Sequence, residues 1–252
     1  MQSTALRRGA VAASAVSLAL LLSACGGDKK DDSKSSNGAK DDTKKSAPAK
    51  TQAELDKLAI VSADLKATKV TTPPAADLKG AESATADKAE CTPLTRTVAG
   101  LTPGDPAARI SRGISQGLEP PKTGTPEEQA QAAIDALKDV SLSQLALASY
   151  EGDGATKAMA ELKKSAEACT AGFGVTINSD SNKVTKVAPA TFTGGDEALA
   201  YILTMGTGDE AMRMPLVVVR KGNEIVSVVD LNVDGEPDLP KTTIDAQLKK
   251  LG

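Results

Sequence analysis

The 252-residue chain contains no histidine and no tryptophan. Without histidine there is no Ser-His-Asp or Cys-His relay, and no His-ligated zinc or haem. The aromatic residues are Tyr150, Tyr201, Phe173 and Phe192. That is little from which to build the stacking platforms used for sugars and single-stranded nucleic acids. An excess of positive charge is missing too, since 30 Lys and Arg face 33 Asp and Glu. A nucleic-acid backbone therefore meets no basic footprint. Ser-Lys and paired-carboxylate chemistry survive this elimination, but no motif for either stands out. The composition points away from an enzyme, and no cofactor or metal is expected.

Charge is also absent from Gly9 to Leu22, directly after Arg7 and Arg8. The apolar run Val16-Ser-Leu-Ala-Leu-Leu-Leu22 sits inside that stretch. A basic start followed by a short apolar core is the pattern of a secretory signal. It falls short of the roughly 20 apolar residues that a permanent membrane helix needs. The flanks Leu6 and Gly9 fit a twin-arginine signal poorly, so general secretion is expected. Leu22-Ser23-Ala24-Cys25 matches the bacterial lipobox. The match implies cleavage before Cys25 and a diacylglyceryl group on its thiol. Two acyl chains (palmitate, for example), at about 0.8 kcal/mol per buried CH₂, anchor stably where one does not. The expectation is a lipoprotein signal peptide over 1–24, and a lipid anchor at Cys25 on the extracytoplasmic face of the cell membrane.

With Cys25 taken by lipid, Cys91 and Cys169 remain. Outside the membrane two such thiols most simply pair. A bridge enclosing a loop of about 78 residues contributes roughly 4 kcal/mol by the loop-entropy model. Two separate buried thiols are the alternative. A redox pair would need closer spacing than these positions have.

Residues 26–50 carry seven Lys and five Asp among small residues, with no large apolar side chain. Such a segment cannot offset its ordering entropy by burial. It reads as a solvated linker spanning roughly 25–30 Å on average. A folded domain is expected over 51–252, long enough for one core.

Within it, Thr51-Gln-Ala-Glu54 is a capping box opening a short helix through Leu55, Leu58 and Ala59. Ala67–Thr72 reads as a strand ended by Pro73-Pro74. Ala86, Ala89, Leu94 and Val98 predict a helix over Thr85–Ala99, with Cys91 near its first turns and a break or kink at Pro93. Arg109–Ile114 reads as a strand and Leu118–Thr125 as a loop. Thr125-Pro126-Glu127-Glu128 is a helix start, with the helix expected to run to about Lys138. Leu145 and Leu147 alternate with smaller residues, as in a strand ending near Tyr150. Ala155, Ala158, Met159, Leu162, Ala166 and Cys169 share one helical face, with Gly172 or Gly174 as the stop.

Strands follow at Phe173–Asn178, Val184–Pro189, Ala198–Met205 and Met212–Arg220. Lys221-Gly222-Asn223 turns the chain into Glu224–Asp230. The β-branched pair Leu216–Val219 and Ile225–Val229 is expected at the sheet centre. Ile244, Leu248 and Leu251 predict a terminal amphipathic helix.

Asp230-Leu-Asn232-Val-Asp234-Gly235, with Asp238 at the ninth position, resembles the first half of a calcium loop. The twelfth position is Lys241 where a glutamate is expected, and a strand precedes the segment. A solvated acidic turn is the preferred reading over a calcium site.

Cys91-Thr-Pro-Leu94, Leu147-Ala-Ser-Tyr150, Ala158 to Cys169-Thr-Ala-Gly-Phe173, Gly195-Asp-Glu-Ala-Leu-Ala-Tyr201 and Val217-Val-Val-Arg-Lys-Gly-Asn223 together resemble a family of actinobacterial lipoproteins. That family is similar in turn to the extracellular sensor domain of a mycobacterial receptor Ser/Thr kinase. The resemblance covers about Leu55 to Leu251. This chain departs from the kinase sensor in having one cysteine pair where the sensor has two disulfides, and no kinase domain. No catalytic residue carries over.

The resemblance implies an α+β domain with a mainly antiparallel sheet of five to six strands, a cleft facing helices, and one disulfide between helices. It implies sensing or binding of a small or lipid-like ligand. Two other classes stand beside that one: a lipid or glycolipid carrier, which needs a large apolar cavity, and an envelope interaction protein with a flat, ligand-free surface. The partners expected are the membrane, through the anchor, and a small-molecule or lipid ligand, with no nucleic acid.

Overall fold

The computed structural model of the chain describes residues 48–66, 68–116, 123–131, 141–208, 211–232 and 238–252. The chain divides into two compact units, Met1–Thr43 and Lys44–Gly252, and all described residues lie in the second. No helix among them is long and apolar enough to cross a membrane.

The second unit is α+β. One antiparallel sheet holds β1 (Thr68–Thr71), β2 (Thr85–Ala86), β3 (Ala108–Gln116), β4 (Ser141–Ser149), β5 (Phe173–Ile177), β6 (Asp180–Ala190), β7 (Glu197–Met205), β8 (Met212–Lys221) and β9 (Glu224–Asn232), in the order β1-β3-β4-β9-β8-β7-β6-β5-β2. That is nine strands, not the five to six expected. The two shortest lie at the two edges: β1, where a strand was expected, and β2, whose two residues give no alternating pattern to read. As expected, β8 and β9 occupy the centre. Their turn has Gly222 at φ 60° in its first position, where a type II′ hairpin needs a residue with no Cβ.

Both faces of the central strands are covered, which is why Leu216-Val-Val-Val219 is apolar without interruption. On one face Leu216, Val218 and Ile225 meet Leu94, Met159, Leu162, Phe173 and Val184. The helices there are α3 (Thr92–Val98) and α5 (Gly154–Ala168). On the other face Leu145, Leu147, Val217, Val219, Val226 and Val228 meet Leu55, Ile60 and Ile244, from α1 (Gln52–Leu58), the segment after it, and α6 (Lys241–Leu251). Each fully buried Leu or Met in these layers contributes roughly 1.5–3 kcal/mol. The sheet, both cores and the disulfide all close within residues 44–252, so this unit has what it needs to fold.

The helices are fixed at their ends by polar contacts. Thr51 and Glu54 form the expected capping box: Glu54 N donates to Thr51 Oγ1 at 3.4 Å, and Thr51 N donates to Glu54 Oε2 at 2.8 Å. Buried Gln247 of α6 secures the chain leaving α1. Its Oε1 accepts from Ile60 N at 3.1 Å and its Nε2 donates to the Leu58 carbonyl at 2.8 Å.

The helix expected over Thr85–Ala99 is instead three pieces: β2, a single 3-10 turn at Ala89–Cys91, and α3. Pro93 does not kink a helix but sits in the first turn of one, where its missing N–H is no loss. One helix escaped the sequence reading, α2 (Ala75–Glu82), which buries only Gly80 and Ala81. The helix begun at Thr125, α4, is described over 126–131 only. Its capping box is present, with Thr125 N donating to Glu128 Oε2 at 2.8 Å. The rest of its expected length, to Lys138, and most of the expected loop Leu118–Thr125 lie outside the described residues.

Cys91 and Cys169 form a disulfide, with Cα atoms 5.9 Å apart and both residues fully buried. Cys91 closes the turn before α3, and Cys169 caps the C-terminus of α5. The bridge joins helix ends and not helix bodies. Ser165 reinforces the same junction, donating to the Glu90 carbonyl at 2.7 Å and accepting from Leu94 N at 3.3 Å.

Candidate functional site

The sheet leaves one side of β3 open. β1 pairs with β3 only over Gly113–Gln116, whereas β4 pairs with it over all of Ala108–Gln116. Ala108–Arg112 therefore has a strand neighbour on one side alone. Beside it, residues of α1, α2 and the 101–107 loop enclose a hollow of about 430 Å³, lined among others by Asp56, Leu78, Glu82, Arg109, Ser111 and Arg112.

Alternation along β3 sends its two arginines to opposite faces. Arg112 faces α1: its Nη2 donates to Asp56 Oδ1 at 3.0 Å and its Nη1 donates to the Ser111 carbonyl at 2.9 Å. Both contacts hold this guanidinium in place. Arg109 is held more loosely. Its Nη2 lies 3.6 Å from Glu82 Oε1, beyond hydrogen-bond length, and the Glu82 side chain is 57% exposed. Ser111 shares the Arg109 face. It is 4% exposed, and its hydroxyl has no hydrogen-bond partner among the described residues. A buried hydroxyl left unpaired is costly, and this residue lies in the wall of the hollow.

A second chamber of about 240 Å³ adjoins the first across Glu82 and Arg109. Arg96, Thr102, Asp105 and Glu161 also line it. Its floor is the loop 101–105, which the Tyr150 phenol fixes by donating to the Pro103 carbonyl. Burial pushes the Tyr150 phenol well above its ordinary range. The Thr102 hydroxyl beside it works in the opposite sense, yet makes no hydrogen bond of normal geometry with any described residue. Gly104, at φ 69°, lets the loop press on α5, because a Cβ there would stand 2.9 Å from Ala158 Cβ.

On the far side of α2 lies a third chamber of about 490 Å³. It is apolar, with Pro73, Ile114, Leu142, Ile177 and Leu231 in its wall. Leu142 is 42% exposed and lends apolar surface to this wall. Asp77 and Ala81 face this chamber, while Leu78 and Glu82, each one residue further along α2, face the charged hollow. Helix α2 is thus a bar across β3, with Arg109–Arg112 on one side and Gly113–Ser115 on the other.

The positions singled out from sequence fall elsewhere. The Cys91–Cys169 bridge is packed in the core and touches none of these chambers. Cys25 lies outside the described residues. Asp230 is not part of a solvated turn: it lies within β9, is 7% exposed, and its Oδ1 accepts from Ser141 Oγ at 3.0 Å and Ser143 Oγ at 2.8 Å. Asp234 and the side chain of Asn232 lie outside the described residues. Asp238 is exposed and lines the same pocket as Asp230. Among the described residues no three His, Cys, Asp or Glu side chains converge as a metal site. The site residues Glu82, Arg109, Ser111 and Thr102 escaped the sequence reading. The one signal for them was a pair of arginines three positions apart in a half-buried strand.

No protein-family description matches the chain, and no curated protein matches it. A solved structure is similar to it. The extracellular domain of PknH from Mycobacterium tuberculosis is 12% identical, with a TM-score of 0.47, covering 81% of this chain and 96% of that one. At that level the likeness decides nothing about ligand or mechanism.

Proposed function

We propose that this chain is a membrane-tethered, extracytoplasmic binding module, a sensor-like domain that takes a small ligand in the hollow along β3. The observation that carries the reading is Ser111, a nearly fully buried hydroxyl that lines a charged hollow and has no partner among the described residues. A folded protein seldom leaves such a group unpaired unless a water, an ion or a ligand serves it. The hollow and the apolar chamber each fall within the roughly 300–1,000 Å³ usual for small-molecule sites.

Binding fits better than catalysis. The arginines of the hollow are paired, closely or loosely, with carboxylates, and the chain has no histidine to move a proton near neutral pH. The disulfide fits an oxidising compartment, as does the signal sequence. The tether is assigned to Cys25 on the lipobox alone.

Two measurements test this. Mass spectrometry of the N-terminal peptide should find a diacylglyceryl adduct on Cys25, absent in Cys25→Ala; an unmodified, uncleaved N-terminus defeats the tether. A thermal-shift screen of small polar and amphiphilic solutes against residues 44–252 should find ligands that raise the melting temperature with concentration, as linkage requires. Ser111→Val should abolish the shift while melting normally without ligand. If no solute shifts the wild-type unit, or if Ser111→Val responds equally, the hollow is not the site.

A further inference from the structure

We propose that the ligand is a single-chain anionic amphiphile, with its head group at Arg109 in the place of Glu82 and its hydrocarbon chain running past α2 into the apolar chamber. This rests on reading the hollow along β3 as the ligand site, and names the class of molecule it takes.

The argument starts from what lies on either side of α2. Residues of a single strand line both compartments: Arg109, Ser111 and Arg112 the charged one, Gly113, Ile114 and Ser115 the apolar one. A ligand lying along β3 meets guanidinium and hydroxyl donors first and hydrocarbon next. Gly113 lies at the boundary, where the nearest side-chain atom to its absent Cβ is the Thr71 hydroxyl at 3.1 Å.

The charge at the first end has an available partner. Arg112 is engaged by Asp56 and by the Ser111 carbonyl at hydrogen-bond distance. Among the described residues Arg109 has Glu82 alone as an ion-pair partner, at 3.6 Å and with an exposed side chain. Such a pair is worth little in water. A ligand carboxylate or phosphate approaching Arg109 makes shorter, charge-assisted bonds, on the strand face that Arg109 shares with Ser111.

The bar itself is lightly held. Helix α2 buries only Gly80 and Ala81. Among the described residues, Glu82–Arg109 is the one side-chain polar link from α2 to the sheet. Gly80 rests against the turn after β5, where a Cβ would stand 2.5 Å from Asn178 Nδ2. Displacing Glu82 therefore removes the polar hold on the C-terminal end of α2, and the two compartments join beneath it. Glu82 acts as an internal competitor for the ligand head.

The test is isothermal titration of residues 44–252 with decanoate and decyl phosphate, which share the anionic head and chain, against decan-1-ol and acetate, which have one feature each. Both anionic amphiphiles should bind saturably at one site. Decanol and acetate should bind at least about tenfold more weakly, the scale of a lost charge-assisted contact.

Arg109→Gln should weaken decanoate about tenfold, while Glu82→Gln should tighten it severalfold by removing the competitor. Leu142→Gln, at an already exposed position, should weaken decanoate and leave acetate unchanged. Decanol binding as well as decanoate, or Glu82→Gln and Arg109→Gln both leaving affinity unchanged, overturns the proposal. If neither anionic amphiphile binds but a short polar solute still stabilises the wild-type unit and not Ser111→Val, this proposal falls and the ligand-site reading stands. If nothing binds, both fall.

Discussion

The Lys50 ammonium lies 2.8 Å from Glu224 Oε1, at the head of the central strand β9. Ser149 completes the group, accepting from Lys50 N at 2.8 Å and donating to the same Glu224 oxygen at 3.1 Å. Lys50, the last residue of the segment read as linker, is therefore bonded to the middle of the sheet. Glu224 is 8% exposed and has no other cation among the described residues. Lys50→Met should destabilise the unit by about 1–2 kcal/mol, since it strands a carboxylate that is mostly out of water. Urea denaturation would measure it. A Glu224→Gln, Lys50→Met double variant should recover part of the loss, because no charge is then left unpaired.

The Cys91–Cys169 bridge anchors α3 to α5 at the point where Ser165 also binds both. Reduction, or Cys169→Ser, should cost about 2–5 kcal/mol. Denaturation curves with and without reductant would report it. No change in midpoint would mean that packing alone holds the two helices.

Stability should fall at both ends of the pH range, for different residues. The Lys250 ammonium, at 2.9 Å, and the Val61 N–H hold the Asp64 carboxyl below its usual 3.8. A carboxyl depressed in the folded state adds stability above its unfolded value and loses it as pH falls through the folded one. Asp64→Asn should therefore flatten the acid limb below about pH 4, the unfolded value for Asp. Burial raises the phenols of Tyr150 and Tyr201 above 10. Groups raised in the folded state keep their stabilisation below pH 10 and lose it above. Tyrosinate absorbance should appear late and together with unfolding; two ordinary titrations near pH 10 would contradict the burial.

Cys169, not the expected Gly172 or Gly174, caps α5; Gly172 lies in the turn that follows, at φ 90°, and a Cβ on it would sit 2.3 Å from the Val184 carbonyl oxygen. Gly172→Ala should destabilise by more than about 1 kcal/mol from the backbone alone, with the clash added. Gly152, at φ 56° with nothing within 4 Å of its Cβ position, should lose only the backbone part. The difference between the two alanine variants isolates the contact.

Residues with strong local patterns were legible. The apolar stripe of α5, from Ala155 to Ala166, repeats over several turns and reads as a helix in any context. The run Leu216-Val-Val-Val219 reads as a strand covered on both faces. Helix α2 was not legible, because Ala75–Glu82 carries small and charged residues and no apolar stripe. Nor was the break-up of Thr85–Ala99, where Ala86, Ala89, Leu94 and Val98 keep helical spacing although pairing with β5 takes Thr85 and Ala86 into the sheet.

The sequence by itself carried the pattern read as a secretory signal with a lipobox at Cys25, and it determined the two cysteines, Cys91 and Cys169, that pair. Each is a matter of residue type and spacing along the chain. It also determined the central hairpin, because β-branched runs on both sides of a glycine turn have few other places to go. Only the tertiary structure decided where the hollow lies. The hollow exists because β1 stops short along β3, and Ser111 lacks a partner because of what packs around it. Glu82 faces Arg109 from 27 positions away, on a helix the pattern does not announce. The central hairpin is written in local chemistry, whereas the hollow arises from long-range packing that no local pattern records.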